Sequence, residues 1–189
     1  MTIRLFAAVV PPSGVVDELD RFLDPRREAD PALRWTLPTS WHVTCAFLPS
    51  VLETEVDDFV ETLAATLAGF GTFTVELAGA GAFPNPDKAK VLWLGAARGA
   101  EQLGHLAARC RGAAVRSGLT VDGARFRPHL TLARANGVPV IRWLRVLEAL
   151  PPVSWEADEV ELIRSSALPG GAGYDTLARF PLAETAGSS

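Results

Sequence analysis

The chain has few cysteines and no long apolar run, and each shortage excludes a class of protein. Its 189 residues include two cysteines, Cys45 and Cys110, too few for a disulfide framework or a cysteine-rich zinc site. No stretch approaches the roughly 18 uninterrupted apolar residues that a membrane helix needs. The first apolar run stops at Pro11 and Pro12 rather than continuing as a secretory signal. We therefore expect a reducing, cytoplasmic setting and no association with membranes.

Positive charge is also scarce. Lysine and arginine together number 18 against 22 aspartates and glutamates, which gives a formal net charge of −4 at pH 7. This balance excludes a polycation that holds nucleic acid by bulk charge, but it leaves room for a local basic cleft. Lys88, Lys90, Arg125 and Arg127 are candidates for such a cationic rim. An ordinary solvated face explains these four side chains equally well.

What the chain has in abundance is apolar sequence arranged in short periodic runs. It is 48% hydrophobic and 21% charged, which is typical of a globular protein. The run Leu5–Val10 predicts a buried strand, and Phe73–Leu77 predicts another, followed by a loop from Gly79 to Asp87. Stripes at helical spacing predict four helices: Ser13 to about Leu23, Val56 to Leu67, Leu103 to Cys110 and Ile141 to Leu147. The polar tail from Glu184 to Ser189 is expected to fray.

The second half of the chain repeats the pattern of the first. When the sequence is shifted by 87 positions, residues 4–9 lie over 91–96 and residue 42 lies over residue 129. No linker-like stretch separates the two halves. We predict one bilobal domain over residues 1–189, with repeated halves at about 4–80 and 91–182. The predicted fold is α+β, with two pseudo-symmetric lobes of antiparallel-rich sheet flanked by helices around a central cleft.

A His-x-Thr motif occurs twice, as His-Val-Thr starting at His42 and as His-Leu-Thr starting at His129. Chance would give two such motifs among three histidines in about 1.5% of chains of this composition. Residues two apart on a strand point to the same face, so each histidine shares a face with its own threonine, Thr44 or Thr131. If the two strands lie side by side, both imidazoles and both hydroxyls converge on one pocket.

Such a pocket suits a phosphodiester. One imidazole can accept a proton from water, the other can donate one to the leaving alkoxide, and the hydroxyls can bind the non-bridging oxygens. A histidine with its usual pKa near 6.5 can take either role around neutral pH, so the residues leave open which is acid and which is base. The alternative is a pair of core histidines, each hydrogen-bonded to a nearby threonine.

The chain resembles the two-histidine phosphoesterases, and among them the bacterial and archaeal RNA 2′,3′-cyclic phosphodiesterases, also called 2′-5′ RNA ligase-like proteins. The resemblance runs nearly end to end. It is carried by these motifs: Arg4-Leu-Phe-Ala-Ala-Val, His42-Val-Thr-Cys-Ala-Phe-Leu, Phe83-Pro, Val91-Leu-Trp-Leu-Gly, Phe126-Arg-Pro-His-Leu-Thr-Leu-Ala-Arg134, Ser166-x-Leu, Tyr174 and Phe180-Pro-Leu.

The resemblance implies an enzyme of RNA processing that opens a terminal 2′,3′-cyclic phosphate to a 2′-phosphomonoester. It assigns His42 as proton donor and His129 as proton acceptor, with Thr44, Thr131 and Arg134 binding the phosphate. It implies no metal and no cofactor, and the sequence has no carboxylate–histidine cluster at ligand spacing. The implied partners are RNA 3′ ends bearing a 2′,3′-cyclic phosphate, or small cyclic nucleotides, without an obligatory protein partner.

Four residues near the motifs have open roles. Strict alternation places Arg134 on the face opposite His129, so it reaches the phosphate only if the strand twists or ends before it. Pro49 stands where the family commonly has glycine, and it is expected to alter the strand exit beside the cleft. Tyr174 stacks on a base or fills a hairpin, and Phe47 is expected to be a core residue rather than a stacking platform.

Two other functions remain compatible with the sequence. The same fold could hydrolyse a small cyclic nucleotide or an ADP-ribose cyclic phosphate. A different class would be a module that binds RNA or a nucleotide in the same pocket without turnover. Turnover of a cyclic-phosphate oligonucleotide separates the enzymes from the binding module.

Overall fold

The structure of the chain, a computed structural model, describes residues 1–168 and 171–184. Within these residues it has nine strands: β1 Thr2–Val9, β2 Arg34–Trp35, β3 Val43–Leu52, β4 Phe73–Phe83, β5 Ala89–Arg98, β6 His129–Val138, β7 Val153–Ala157, β8 Glu159–Leu168 and β9 Gly171–Pro181. It has four α-helices: α1 Ser13–Leu23, α2 Val56–Leu67, α3 Ala100–Arg116 and α4 Ile141–Leu147. The predicted loop at 169–170 and the tail at 185–189 lie outside the described residues.

All the strands join one curled antiparallel sheet. Its order is β7-β4-β5-β6-β3-β1-β8-β9, with β2 paired to β6. The order is symmetric about its centre, because β3, β1, β8 and β9 on one side match β6, β5, β4 and β7 on the other. Helix α3 packs on β3, and α2 packs on α3. The predicted α+β fold with two pseudo-symmetric lobes is confirmed.

Each lobe contains strands from both halves of the chain. Strand β4, from the first half, pairs with β5, whereas β8, from the second half, pairs with β1. The two halves are therefore interleaved in one sheet. The extent of the domain, residues 1–189 with repeats at about 4–80 and 91–182, stays a prediction.

Strand β4 is longer than its sequence indicated. The predicted loop after Leu77 is instead a continuation of the strand to Phe83, with a register shift between Leu77 and Ala80. Gly79 lies at this shift with φ of +77°, a conformation that costs glycine little. The two glycines that looked like turn residues, Gly79 and Gly81, are therefore strand residues beside an irregular pairing.

The sheet separates a large core from the cleft. Alternate residues of β1 face the main core under the helices, among them Leu5, Ala7 and Val9. Phe6 and Ala8 face the other way and form a small apolar cluster with Ile163. The predicted buried strand is confirmed for Leu5 to Val9, and Phe6 on its second face also lines the cleft. In the described ranges, no helix is long and apolar enough to cross a membrane.

Candidate active site

The two His-x-Thr motifs meet at the centre of the sheet. Strands β3 and β6 are joined by one antiparallel pair, Val43 with Leu130, and both side chains are fully buried. These two residues are equivalent in the repeat, so the local pseudo-twofold axis passes between them. His42 and Thr44 flank Val43, and His129 and Thr131 flank Leu130, so the four motif side chains lie on the same side of the sheet around this pair. The predicted convergence of the two motifs on one pocket is thus present in the geometry.

Each imidazole is held by a backbone carbonyl two residues before it. His42 Nδ1 is 2.8 Å from the oxygen of Ser40, and His129 Nδ1 is 2.7 Å from the oxygen of Arg127. Because a carbonyl only accepts, Nδ1–H is the donor in both rings, and Nε2 of the neutral imidazole keeps its lone pair. Among the described residues, neither histidine is hydrogen-bonded to a threonine, as the alternative of two core histidines would require.

Aromatic rings fix the orientation of both imidazoles. Phe6 stacks on His42 with centroids 4.5 Å apart, and Tyr174 meets His42 edge-on at 5.5 Å. Phe83 meets His129 edge-on at 5.0 Å, and Trp93 lies 6.1 Å from the same imidazole. Phe6 and Trp93 are equivalent in the repeat, so each lobe supports its histidine from the same strand position.

The ring of Trp93 depends on glycine beside it. A Cβ on Gly81, its partner on β4, would overlap the indole ring, and one on Gly95 would lie 3.2 Å from Trp93 Cζ3. In the other lobe the position matching Gly81 is Ile163, which faces the smaller ring of Phe6. The two lobes therefore have equivalent strand positions, but the lobe of His129 accommodates the larger aromatic ring.

The site favours neutral histidines in the absence of an anion. Burial lowers the pKa of His42 to about 4; the Ser40 carbonyl opposes this shift, and the charges of His129 and Arg134 lower the pKa further. Burial also lowers the pKa of His129, with the Arg127 carbonyl opposing and the charges of Arg127 and Arg134 adding to the shift. The positive charge of Arg134 beside both imidazoles disfavours their protonation, and an anion bound in the cleft would offset this repulsion.

The side chains of both motifs line one cavity of about 160 Å³. Its walls are formed by both histidines and both threonines, and by Thr36, Ser40, Arg134 and Tyr174. A second cavity of about 430 Å³ continues from His42 and Thr44 along the first lobe; its other lining residues are Arg4, Phe6, Phe47, Arg134, Ser165, Ser166, Ala167 and Tyr174. Among the described residues, no hydrogen bond occupies the hydroxyl of Thr44 or Thr131, and no ion pair occupies the guanidinium of Arg134.

Matching bulges explain how Arg134 reaches this cavity. The pairing of β6 with β5 slips by one residue between Thr131 and Ala133, so that Leu132 and Ala133 are both buried and Arg134 returns to the face of His129. The pairing of β3 with β1 slips in the same place of the first motif, between Thr44 and Ala46. The assumption of strict alternation along the strand did not predict this bulge, because it places successive residues on opposite faces without exception.

The first-motif bulge also corrects the expectation for Phe47. This residue is equivalent to Arg134, lines the larger cavity and is half-buried, so it belongs to the cleft rather than to the main core. Tyr174 lines both cavities. Pro49 lies further along β3, which continues past it to Leu52, and it is exposed at a second irregularity opposite Arg4. The unusual proline therefore lies at an irregular pairing of β3 with β1 and does not end the strand.

The side chains of the remaining sequence candidates line neither cavity. All four members of the expected cationic rim are exposed, and none lines either cavity; Arg127 covers the ring of Phe83 at 5.7 Å. His105 is exposed on α3, and Cys45 is buried on the core side of β3. Sequence reasoning missed Arg4, Phe6 and Ser165. Arg4 and Phe6 are two apart on β1, and that spacing was the available signal.

Comparison with known proteins agrees with this architecture. The sequence model of the 2′-5′ RNA ligase superfamily matches residues 11–168. An RNA 2′,3′-cyclic phosphodiesterase of Methanothermobacter thermautotrophicus is 29% identical, over 96% of this chain and all of that protein. One from Thermus thermophilus is 33% identical, over 95% of this chain and 90% of that protein. The crystal structure of E. coli LigT complexed with 3′-AMP superimposes with a TM-score of 0.77 at 26% identity, covering 96% of this chain and 99% of LigT.

The two-lobed sheet is that of the two-histidine phosphoesterases, the class that the sequence resemblance predicted. Within this class, the chain belongs to the 2′-5′ RNA ligase superfamily.

Proposed function

We propose that this chain hydrolyses the 2′,3′-cyclic phosphate at RNA 3′ ends and leaves a 2′-phosphomonoester. The observation that carries the proposal is the pair of matched imidazoles facing one cavity, each anchored through Nδ1, beside two threonine hydroxyls and Arg134 without protein partners in the described ranges. The activity named for the relatives from Methanothermobacter and Thermus supports the same substrate.

The phosphate lies between the two motifs. The hydroxyls of Thr44 and Thr131 donate to its non-bridging oxygens, and the Arg134 guanidinium binds the same anion with charge-assisted hydrogen bonds. A negative charge there offsets the repulsion between Arg134 and a protonated histidine. These groups hold the phosphorus in line with an attacking water on one side and the leaving oxygen on the other.

The difference between the two lobes supports an assignment of the proton donor and the proton acceptor to the two histidines. The larger cavity lies on the His42 side, whereas the rings of Phe83 and Trp93 are packed around His129. A nucleoside in the larger cavity directs its departing 3′ oxygen toward His42 and leaves the opposite side of the phosphorus for water. His129 Nε2 then accepts the proton of the attacking water, the bond from phosphorus to the 3′ oxygen breaks, and His42 Nε2 protonates that oxygen.

The low pKa of His42 in the free protein places a condition on this assignment. A proton donor must be protonated when the substrate is bound, and a pKa of about 4 leaves His42 neutral near pH 7. The bound phosphate supplies a negative charge that favours the imidazolium and raises the pKa. The lowered pKa of His129 keeps this ring neutral, which fits a proton acceptor.

The proposed reaction uses neither metal nor cofactor. Two imidazoles provide both proton transfers, and Arg134 provides the positive charge. Residues 1–168 and 171–184 bring together no group of three or more histidine, cysteine or acidic side chains that could hold a metal ion. The cytoplasmic, reducing setting expected from the sequence stays a prediction. Cys45 and Cys110 are both free and buried.

The test is turnover of an oligonucleotide with a 2′,3′-cyclic end in the presence of excess chelator. We expect a 2′-phosphate product, and we expect His42→Ala and His129→Ala each to lower kcat by about 10²- to 10⁴-fold. Chelator-sensitive turnover that a metal restores would contradict the metal-free mechanism. Full activity in both variants would contradict the assignment of His42 and His129 as the catalytic residues.

The two other functions predict different results. An enzyme for small cyclic nucleotides or ADP-ribose cyclic phosphate would turn these over in preference to the oligonucleotide. A binding module would retain the oligonucleotide without converting it.

A further inference from the structure

The larger cavity continues beyond the reacting groups to a cation that the mechanism does not use. It extends from His42 and Thr44 to Arg4 and Ser165, at the other end of β1 and β8. Arg4 is two residues from Phe6 on β1, so both side chains project from the cleft face. Neither the catalytic proton transfers nor the binding of the cyclic phosphate requires an arginine at this distance.

Three polar side chains form a row across the sheet at this end of the cavity. Arg4 on β1 is directly opposite Ser165 on β8, and Ser165 is opposite Tyr174 on β9. All three line the larger cavity. Residues paired across neighbouring strands lie on the same face about 5 Å apart, so a guanidinium, a hydroxyl and a phenol are presented side by side. This row offers hydrogen-bond donors to an anion.

The guanidinium of Arg4 is available to a ligand. Among the described residues no carboxylate pairs with it, whereas Arg164, the residue before Ser165 on β8, pairs with Glu53 at 3.3 Å. Arg4 itself is exposed, and β3 is irregular opposite it at Pro49 and Ser50. Pro49 has no N–H to donate, so it cannot complete the ladder between β1 and β3 at this irregularity.

The spacing along β1 fits the next phosphate of a nucleotide chain. Ala8 pairs with Thr44, and Arg4 is four residues from Ala8, about 13 Å along an extended strand. Arg4 and His42 line the same cavity, and the length of an arginine side chain can span part of this distance. A ribose lying over Phe6 and Tyr174 would separate the reacting cyclic phosphate from the phosphate on its own 5′ oxygen.

We propose that Arg4 and Ser165 form a second phosphate subsite, which binds the 5′-phosphate of the terminal nucleotide. In an RNA this group is the phosphodiester that joins the last nucleotide to the rest of the chain. The subsite makes the protein selective for polynucleotide ends and 5′-phosphorylated nucleotides over cyclic phosphates of free nucleosides. This inference rests on the proposed function, because it takes the cyclic phosphate to lie between the histidines.

The experiment compares three substrates that share the reacting group. Adenosine 2′,3′-cyclic phosphate has a free 5′-hydroxyl, its 5′-phosphorylated form adds one phosphate, and the dinucleotide ApA with a 2′,3′-cyclic end adds a phosphodiester. The readout is the ratio of kcat/KM for each phosphorylated substrate to that for the nucleoside. We expect Arg4→Gln to lower both ratios by about 10- to 100-fold, chiefly through KM, because hydrogen bonds to a charged group are lost.

Further variants distinguish a specific phosphate subsite from a general effect of positive charge on the protein surface. Arg98→Gln removes the same charge from an exposed arginine at the end of β5, outside both cavities, and should leave the ratios unchanged. Ser165→Ala should lower the ratios less than Arg4→Gln, and Arg4→Lys should retain part of the selectivity. Equal losses in Arg4→Gln and Arg98→Gln, or an Arg4→Gln variant with wild-type ratios, would overturn the proposal.

The two proposals fail in different ways. If the wild-type protein turns over none of the three substrates, the proposed function fails, and binding then decides the subsite. Calorimetry would compare adenosine 5′-monophosphate with adenosine for the wild type and Arg4→Gln. A preference for the 5′-phosphate that Arg4→Gln abolishes supports the subsite, and equal binding of the two ligands by the wild type overturns it.

Discussion

The imidazole of His42 lies on the ring of Phe6, with centroids 4.5 Å apart and planes inclined by 27°. Phe6 is itself 3% exposed, so one face of the imidazole is shielded from water. This stacking gives a physical basis for the low pKa of His42, because a charged ring would lose hydration there without gaining a carboxylate partner. The proton affinity of His42 therefore depends on what occupies the cleft.

We predict that the pKa of His42 changes on ligand binding. In the free protein it should be about 4, as burial and the nearby cations impose. Inorganic phosphate or sulfate in the cleft should raise it, since an adjacent anion favours the imidazolium. NMR titration of the histidine ring signals with and without the anion measures both values, with His42→Gln to assign the resonance. A pKa near 6.5 in the free protein, or no change with saturating anion, would contradict this account.

The same shift predicts a loss of stability in mild acid. Between the ordinary pKa of 6.5 and about 4, the unfolded chain binds a proton at His42 that the folded chain does not. Stability therefore falls as the pH is lowered through this window, by up to about 3 kcal/mol for this residue. Urea unfolding at pH 7.5, 5.5 and 4.5 should show a smaller acid loss in His42→Gln than in the wild type. Parallel curves for the two proteins would show that His42 does not contribute.

The donor role of His42 can be tested by changing the leaving atom. Replacing the 3′ oxygen of the cyclic phosphate by sulfur gives a thiolate, which leaves without protonation far more readily than an alkoxide because a thiol has a pKa near 8.5. The sulfur substrate should restore most of the activity lost in His42→Ala, within about tenfold of wild type on the same substrate. It should not rescue His129→Ala, which lacks the base for water. Rescue of His129→Ala alone would reverse the two roles.

How much the sequence could predict is clearest at the two motifs. His42, His129 and their threonines converge as expected, because a period of two on neighbouring strands determines which side chains share a face. Arg134 and Phe47 reach the cleft only through bulges, and a bulge depends on the pairing of two strands rather than on the sequence of one. The spacing of Arg4 and Phe6 indicates a shared face of β1, but which face borders the cleft depends on the placement of β8 and β9 beside it.

The packing of Trp93 predicts a specific effect of one methyl group near His129. A Cβ on Gly81 would overlap the indole ring, so Gly81→Ala must displace Trp93 and, with it, the ring of Phe83 that meets His129 edge-on. We expect a loss of about 1–3 kcal/mol of stability, the usual cost of overpacking.

Gly14→Ala is the matched control for this prediction. The added methyl group meets nothing within 4 Å on helix α1, so this variant should be as stable as the wild type or gain up to about 1 kcal/mol. Urea unfolding followed by tryptophan fluorescence compares the three proteins, and kcat reports on His129. Gly81→Ala with wild-type stability and kcat would show that the indole does not support the histidine.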